Sequence, residues 1–252
     1  MVRRHDHDAG GPRELLEAKA ALREQMWRNL SAPGIARFPR PEGRIPNFVG
    51  AEAAAERLRA TPIWQAAQTI KANPDSPQLP VRERALADGK IVYMAVPRLA
   101  AEKPFFLLDP EKLRAAPRAA ASIKGAARLG RPVDVSELSP VDLVVTGCVA
   151  VGRDGRRLGK GGGFSDLELA IAAEAGLIGA RTRIVTTVHD AQVLPAGVIP
   201  VTEHDFPLDL IVTPTELIRV PRSRRRPRIV WRELTPEKIA AIPLLSRLHP
   251  EL

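Results

Sequence analysis

The segment at residues 155–166, which reads GRRLGKGGGFSD, limits the possible folds of this chain more than any other stretch. The residues before it, 141–151, are mostly apolar and β-branched and predict a buried strand. The residues after it, 167–178, carry apolar side chains at helical spacing. A glycine loop between a strand and a helix can present backbone N–H groups and the helix N-terminus to an anion. The segment therefore predicts a phosphate-binding loop in an α/β protein.

A flexible hairpin is the alternative interpretation of this segment, because Asp154-Gly155 is itself a turn signal. Three consecutive glycines before a helix favour the anion site, since glycine lets the backbone approach a ligand closely and adopt positive φ. Arg156, Arg157 and Lys160 add positive charge to the loop. The local sequence leaves both interpretations open and favours the anion site.

Helical and β-branched runs alternate along the chain. Helices are predicted over residues 13–30, 51–59 and 81–88, and strands over residues 66–72, 90–97, 141–151, 182–188 and 208–213. This alternation predicts an α/β domain with a mainly parallel sheet covered on both faces, and the last four strands should share that sheet. We expect a flexible tail over the polar residues 1–12 and a single domain over residues 13–252.

The overall charge also suits an anionic ligand, since the 252 residues carry a formal net charge of +9. Aromatic residues make up only 4%, which argues against a surface that stacks single-stranded bases. The densest basic run, residues 222–228, could bind nucleic acid, but it is short and has no aromatic residue, so a solvated turn is favoured. We therefore expect no nucleic-acid partner.

The single cysteine, Cys148, excludes an intrachain disulfide and fits a reducing compartment. Cys148 belongs to the apolar run before the glycine loop, so we predict a small core residue. No apolar run is long enough to span a membrane, and the N-terminus lacks the apolar stretch of a signal peptide. These features predict a cytoplasmic protein.

The predicted first helix carries Lys19 and Arg23 four positions apart, so both charges lie on one face. Their spacing alone fits a solvated face. The motifs together are more specific, because residues 157–166 resemble the ATP loop of the 5-formyltetrahydrofolate cyclo-ligase family, whose pattern is Arg-Leu-Gly-x-Gly-x-Gly-Tyr-Tyr-Asp. Residues 19–23 (KAALR) resemble the basic helix of that family. Residues 201–213 resemble its closing segment, in which His-Asp precedes the last core strand.

The resemblance, which extends over about residues 13–215, implies a three-layer α/β/α sandwich of the type shared by sugar-phosphate isomerases and coenzyme A transferases. It also implies ATP- and Mg²⁺-dependent closure of 5-formyltetrahydrofolate to 5,10-methenyltetrahydrofolate, with release of ADP and phosphate. Arg157 and Asp166 would be catalytic, and Asp166 would also hold Mg²⁺. The residues that the resemblance assigns to ATP binding are Lys19, Arg23, Arg157, Leu158, Gly159, Lys160, Gly161, Gly162, Gly163, Phe164 and Ser165.

Ser165 and Glu168 also fit a capping box, which would explain the first turn of the following helix without any metal. A carboxylate such as that of Asp166 is favourable in the first turn of a helix in any case, because of the helix macrodipole. The structural and the metal-binding interpretations can both hold.

The chain departs from the family pattern where Phe164, Ser165 and Leu167 replace two tyrosines and an arginine. Gln78 stands nearest to the position of a substrate-binding glutamate and is assigned to substrate binding on that basis. With these departures, the chain resembles the branch of methenyltetrahydrofolate synthase domain-containing proteins. Two other functions stay open, an ATP-dependent enzyme of this fold with another substrate and a regulatory or nucleic-acid-binding protein. We expect a monomer that binds ATP and a folate-type substrate and has no membrane partner.

Overall fold

The computed structural model describes residues 12–221 and 227–248. The helices are α1 Pro12–Leu30, α2 Ala51–Arg59, α3 Pro62–Ala66, α4 Leu79–Ala87, α5 Pro117–Ala121, α6 Ile123–Leu129, α7 Phe164–Glu174, α8 Pro236–Ala240 and α9 Pro243–Leu248. The strands are β1 Thr69–Ala72, β2 Ile91–Ala95, β3 Phe105–Leu108, β4 Arg131–Val133, β5 Leu143–Thr146, β6 Ala150–Gly152, β7 Arg157–Leu158, β8 Arg183–Thr187, β9 Val193–Leu194, β10 Leu210–Val212 and β11 Leu217–Arg219.

The central sheet has eight strands in the order β11-β10-β8-β5-β1-β2-β3-β4. The five strands from β10 to β2 in this order are parallel to one another. The flanking strands β11, β3 and β4 pair antiparallel. The prediction of a mainly parallel sheet is therefore confirmed. The chain runs outward in opposite directions from β1 and β5, and such a switch point opens a crevice at the carboxyl ends of the strands.

Helices cover both faces of this sheet, which makes three layers. Successive residues of a strand point to opposite faces, so Val92 and Met94 enter one core while Tyr93 and Ala95 enter the other. Helices α2 to α6 contribute side chains to the first core. Helices α7 and α9 contribute to the second. The predicted three-layer α/β/α arrangement is confirmed.

The run at residues 141–151 was predicted as one strand, and this prediction is wrong. Its first half is β5 in the central sheet, and its second half is β6, which belongs to a separate three-stranded sheet in the order β7-β6-β9. Apolar character is the same in both halves because each is buried, so the sequence carries no sign of the change of sheet.

The chain leaves the central sheet at Gly147, directly after β5. A Cβ atom at this position would come within 2.7 Å of Gln78 Oε1 and 2.8 Å of Ile45 Cγ2, so any other residue would have to displace these buried side chains. Beyond it, Val149 and Ala150 pack in a third core with residues of α1. The small sheet thereby connects α1 to the edge of the sandwich where the glycine loop begins.

Several predictions fall outside the described residues. The tail predicted over residues 1–12 is described only at its last residue, and the basic run at residues 222–228 only at its last two. The single domain over residues 13–252 stays a prediction. Within residues 12–221 and 227–248, no helix is long and apolar enough to cross a membrane.

Candidate functional site

The glycine loop, defined here as residues 159–163, connects β7 to α7 and separates two cavities. The smaller cavity has a volume of about 180 Å³ and lies between the loop and α1. The larger cavity has a volume of about 520 Å³ and lies at the carboxyl ends of β1, β2 and β5. Gly159, Gly162, Gly163 and Asp166 line both cavities. The loop is therefore a partition that a ligand can reach from two sides.

The hairpin that the sequence allowed as an alternative interpretation does exist, but it ends before the glycine loop. Strands β6 and β7 pair antiparallel around a turn in which Gly155 has a φ of 82°. Gly161 and Gly163 then have φ values of 105° and 66°, which few other residues adopt. The hairpin and the exposed glycine backbone are thus successive parts of one segment.

Lys19 and Arg23 of α1 lie on one face of the helix, as their spacing predicts, and both line the smaller cavity. The Arg23 Nε donates to the carbonyl oxygen of Gly159 at 2.7 Å, which ties the helix to the loop. Lys19 is buried, donates to Thr202 Oγ1 at 3.0 Å and pairs with Asp205. Burial lowers the pKa of Arg23, and the carboxylates of Asp205 and Asp166 partly offset that effect.

Arg157 and Asp166 form a buried ion pair at the base of the loop. The Arg157 guanidinium also stacks over the ring of Phe206, with 4.6 Å between the guanidinium carbon and the ring centroid. Burial is the largest single influence on the pKa of Arg157 and would lower it. The charge and hydrogen bond of Asp166, together with electrostatic interactions with Cys148 and Asp205, outweigh burial, and the pKa is raised. The two predicted catalytic residues are therefore paired with each other, and the carboxylate of the pair lines both cavities.

The capping box predicted from Ser165 and Glu168 is wrong. The N-cap of α7 is Gly163, which has no side chain to cap the helix. The Ser165 hydroxyl instead accepts a hydrogen bond from Asn73 Nδ2 at 2.9 Å. Glu168 is buried and pairs with Lys71 of β1, with 2.5 Å between Lys71 Nζ and Glu168 Oε1. Both side chains thus anchor the start of α7 to the central sheet, through partners that lie far away in the sequence.

The larger cavity receives several of the other predicted site residues. Phe164 and Ser165 line it, and so does Lys160, whose Nζ lies 3.4 Å from Asp75 Oδ1. Leu158, in contrast, lines the smaller cavity and is buried. The basic residues assigned to ATP are therefore divided, with Lys160 on one side of the glycine loop and Lys19 and Arg23 on the other.

Gln78 lies beneath the floor of the site and does not line either cavity. It is fully buried, and its Nε2 donates to the backbone oxygen of Thr187 at 3.2 Å. Its Oε1 is buried, has no hydrogen-bond partner among the residues that the structure describes, and faces the position that a Cβ at Gly147 would occupy. A direct contact with substrate would require Gln78 to become accessible.

Among the lining residues that were not predicted as site residues, three are polar and lie next to the predicted ones. His204 and Asp205 line the smaller cavity, and their only signal in the sequence is the closing segment that resembles the family. Lys238 of α8 also lines it, and nothing in the local sequence around Lys238 indicates this. Long-range packing brings all three to the glycine loop.

The acidic residues of the smaller cavity fit a magnesium ion that is bound together with phosphates. Asp166 and Asp205 both line this cavity. The part of the chain that the structure describes contains no cluster of three or more His, Cys, Asp or Glu side chains that could hold a metal alone. Protein-bound Mg²⁺ is usually held by one or two carboxylates together with phosphate oxygens and water, so two carboxylates suffice.

Comparison with known proteins identifies a family and several relatives of this chain. The sequence model of the 5-formyltetrahydrofolate cyclo-ligase family matches residues 13–214. A methenyltetrahydrofolate synthase domain-containing protein of Mus musculus is 37% identical over 235 residues, which cover 92% of this chain and 63% of the mouse protein. A 5-formyltetrahydrofolate cyclo-ligase of Escherichia coli K12 is 38% identical over 84 residues, which cover 33% of this chain and 42% of that protein. The chain spans 62–63% of the length of its domain-containing relatives.

The fold is similar to the NMR structure of Aquifex aeolicus 5,10-methenyltetrahydrofolate synthetase, with a TM-score of 0.53 at 19% identity. That similarity covers 84% of this chain and 98% of the other and concerns the fold alone. The predicted resemblance to the domain-containing branch is confirmed, because those relatives match nearly the whole chain. The family match includes the basic helix, the glycine loop and Asp205, and the chain belongs to the 5-formyltetrahydrofolate cyclo-ligase family.

Proposed function

We propose that this protein uses ATP and Mg²⁺ to convert 5-formyltetrahydrofolate to 5,10-methenyltetrahydrofolate, with release of ADP and phosphate. The observation that carries the proposal is the glycine loop, which separates a small cavity lined by cations from a larger one at the switch point of the sheet. The ATP phosphates would lie in the smaller cavity and the folate in the larger one. The family assignment agrees with a ligase of this kind.

In this reaction the γ-phosphoryl group moves to the formyl oxygen, ADP leaves, N10 attacks the formyl carbon, and phosphate is expelled. Such a transfer depends mainly on positioning and on neutralisation of charge. Lys19 and Arg23 would hold phosphate oxygens, because both side chains line the smaller cavity. Backbone N–H groups of residues 159–163 would supply further donors at the start of α7.

Mg²⁺ would neutralise charge on the phosphates, and Asp166 and Asp205 are the residues that would hold it. Arg157 would keep the Asp166 carboxylate oriented through their buried ion pair. Lys160 lines the larger cavity and would meet the phosphoryl group from the folate side of the loop. Lys160 would therefore act from the folate side of the loop only, whereas Asp166 lines both cavities.

We further propose that turnover is slow, because recognition of the folate is weakened. Phe164 and Ser165 line the larger cavity where the family pattern has two tyrosines. Gln78, the counterpart of a substrate-binding glutamate, is fully buried. Small errors in the placement of a reacting group cause large losses of rate.

The test is an assay of the purified protein with ATP, Mg²⁺ and 5-formyltetrahydrofolate, in which we expect the absorbance of the methenyl product to appear. Asp166→Asn should reduce the rate by about 100-fold or more, since it removes a carboxylate that would hold Mg²⁺ at the transferring phosphoryl group but keeps the shape of the side chain. Asp109→Asn, outside both cavities, is the matched control and should keep the rate. Absence of product at high enzyme concentration, with ATP still bound, would contradict the cyclo-ligase proposal.

That last outcome would favour a second candidate, an ATP-dependent enzyme of this family with another substrate. The burial of Gln78 is the observation that favours it, because the larger cavity then lacks the group expected to recognise the pterin. ATP hydrolysis stimulated by some other compound would identify that substrate.

We also propose that the protein is a cytoplasmic monomer that does not bind nucleic acid. Cys148 is buried as a free thiol, in agreement with a reducing compartment. A gel shift that weakens steeply as salt rises would contradict the proposal about nucleic acid.

A further inference from the structure

The C-terminal segment, defined here as residues 227–248, follows the part of the chain that matches the family and packs onto the sandwich. The Ile229 N–H donates to Glu174 Oε1 at the end of α7 at 2.8 Å. Ile242, Leu244 and Leu245 are buried in the same core as α7. The segment is therefore part of the fold, although the family match ends at residue 214.

This segment forms one wall of the smaller cavity. Val230, Glu233, Leu234 and Lys238 line it from the C-terminal side, and α1 lines it from the other side. Leu167 of α7 is apolar and also lines the cavity, so the first turn of that helix supplies no cation. On the wall of the smaller cavity opposite α1, the positive charge therefore comes from the C-terminal segment.

Lys238 lies directly at the glycine loop. Its Nζ donates to the carbonyl oxygen of Gly162 at 3.1 Å and lies 5.3 Å from the centroid of the Phe164 ring. A Cβ atom on Gly163 would come within 3.1 Å of the same Nζ. The backbone of Lys238 is held in place because its N–H donates to Thr235 Oγ1, which caps α8.

The ammonium group of Lys238 has no carboxylate within ion-pair distance among the residues that the structure describes. Lys19, by comparison, pairs with Asp205 in the same cavity. Burial lowers the pKa of Lys238, and the charge of Asp166 opposes that effect. An ammonium group has three N–H donors, and the one recorded bond to Gly162 leaves two for a ligand.

We propose that Lys238 binds a phosphate group of the nucleoside triphosphate, and that the C-terminal segment is thereby part of the nucleotide site. This inference rests on the proposed function, because it assumes that the smaller cavity receives phosphates. A phosphate there would complete the hydrogen bonds of a half-buried cation and would meet Arg23 from the opposite wall.

The test compares Lys238→Met, Lys238→Arg and Lys112→Met by titration calorimetry with Mg-ATP and, separately, with inorganic tripolyphosphate. Lys112 is exposed and pairs with Asp109 away from both cavities, so Lys112→Met matches the change in net charge. We expect Lys238→Met to weaken both ligands by about tenfold, the effect of losing one charge-assisted contact. Lys238→Arg should retain most of the affinity, and Lys112→Met should bind as the wild type does.

Thermal melting without ligand shows whether each variant is folded, and Lys238→Gln provides a second neutral variant if the methionine variant is not. Unchanged affinity of a folded neutral variant would overturn the role of Lys238 and leave the proposed function standing. Binding of tripolyphosphate but not ATP, weakened by Lys238→Met, would support the phosphate site and contradict the proposed function. Absence of binding of either ligand by the wild type would overturn both proposals.

Discussion

At the scale of single residues, the most consequential finding is that Arg157 and Asp166 form one buried ion pair. Their side chains are 2% and 12% exposed, so neither charge is solvated well enough to remain alone. Removal of one partner from a buried pair is far more destabilising than removal of a surface partner, because the other charge stays buried and unpaired. Asp166 therefore contributes to stability as well as to the proposed chemistry.

We expect Asp166→Ala to lower the free energy of unfolding by about 3 kcal/mol, because Arg157 would be left buried and unpaired. Glu52→Ala is the matched control, because Glu52 forms an exposed ion pair with Arg37. This substitution should lower the free energy of unfolding by less than about 1 kcal/mol. Urea denaturation measures both values. Equal effects of the two substitutions would show that the Arg157–Asp166 pair is solvated in solution.

At the scale of elements, the start of α7 is fixed by its neighbours. Ser165 contacts Asn73 just after β1, and its Oγ lies 3.0 Å from Thr146 Oγ1 of β5. Glu168 pairs with Lys71 of β1, and burial raises the pKa of Glu168 although Lys71 opposes the shift. The helix N-terminus is thereby held over the carboxyl ends of two parallel strands, with the glycine loop in front of it.

The loop conformation leads to a prediction about two glycines at opposite ends of α7. Gly163 and Gly176 both have positive φ, so alanine at either position should lower the free energy of unfolding by about 1 kcal/mol. A Cβ at Gly176 would have no atom of the described residues within 4 Å, whereas a Cβ at Gly163 would come within 3.1 Å of Lys238 Nζ. We therefore expect Gly163→Ala alone to weaken ATP binding, as measured by calorimetry. A similar loss of affinity in Gly176→Ala would mean that the effect comes from the helix as a whole.

At the scale of the whole molecule, Cys148 lies where the chain passes from the central sheet to the small sheet. It is buried in the core shared with α7, and its Sγ lies 3.5 Å from Thr186 Oγ1. Burial raises the pKa of the Cys148 thiol to about 11, although Thr186 and the charge of Arg157 oppose the shift. The thiol is thus both inaccessible and protonated near neutral pH.

Labelling of Cys148 should therefore report on opening of the whole molecule. At pH 8 only about one thiol in a thousand would be ionised, since the thiolate fraction falls tenfold for each pH unit below a pKa of about 11. A disulfide reagent such as DTNB should react at once in urea and only at the unfolding rate in buffer, and Mg-ATP should slow the reaction further. Rapid labelling of the native protein would contradict the burial of this residue.

The sequence by itself determined the local parts of this protein. Helix α1 with Lys19 and Arg23 on one face, the turn at Gly155 and the loop with α7 after it all follow from periodicity and glycine placement. These patterns are readable because each depends on residues within a few positions of one another. The alternation of such elements was also sufficient to predict a mainly parallel sheet.

Only the tertiary structure decided which of these parts meet. The break after β5 depends on Gln78 and Ile45 packing against Gly147, and the partners of Ser165 and Glu168 lie in β1 and β5 or just beyond. Lys238 reaches Gly162 across 76 positions of sequence. Contacts of this kind produce no local periodicity in the sequence. The requirement for a buried lysine, or for glycine instead of a larger residue, comes from neighbours that are distant along the chain. Packing of the three layers, not the pattern of any one segment, brings these residues to the glycine loop.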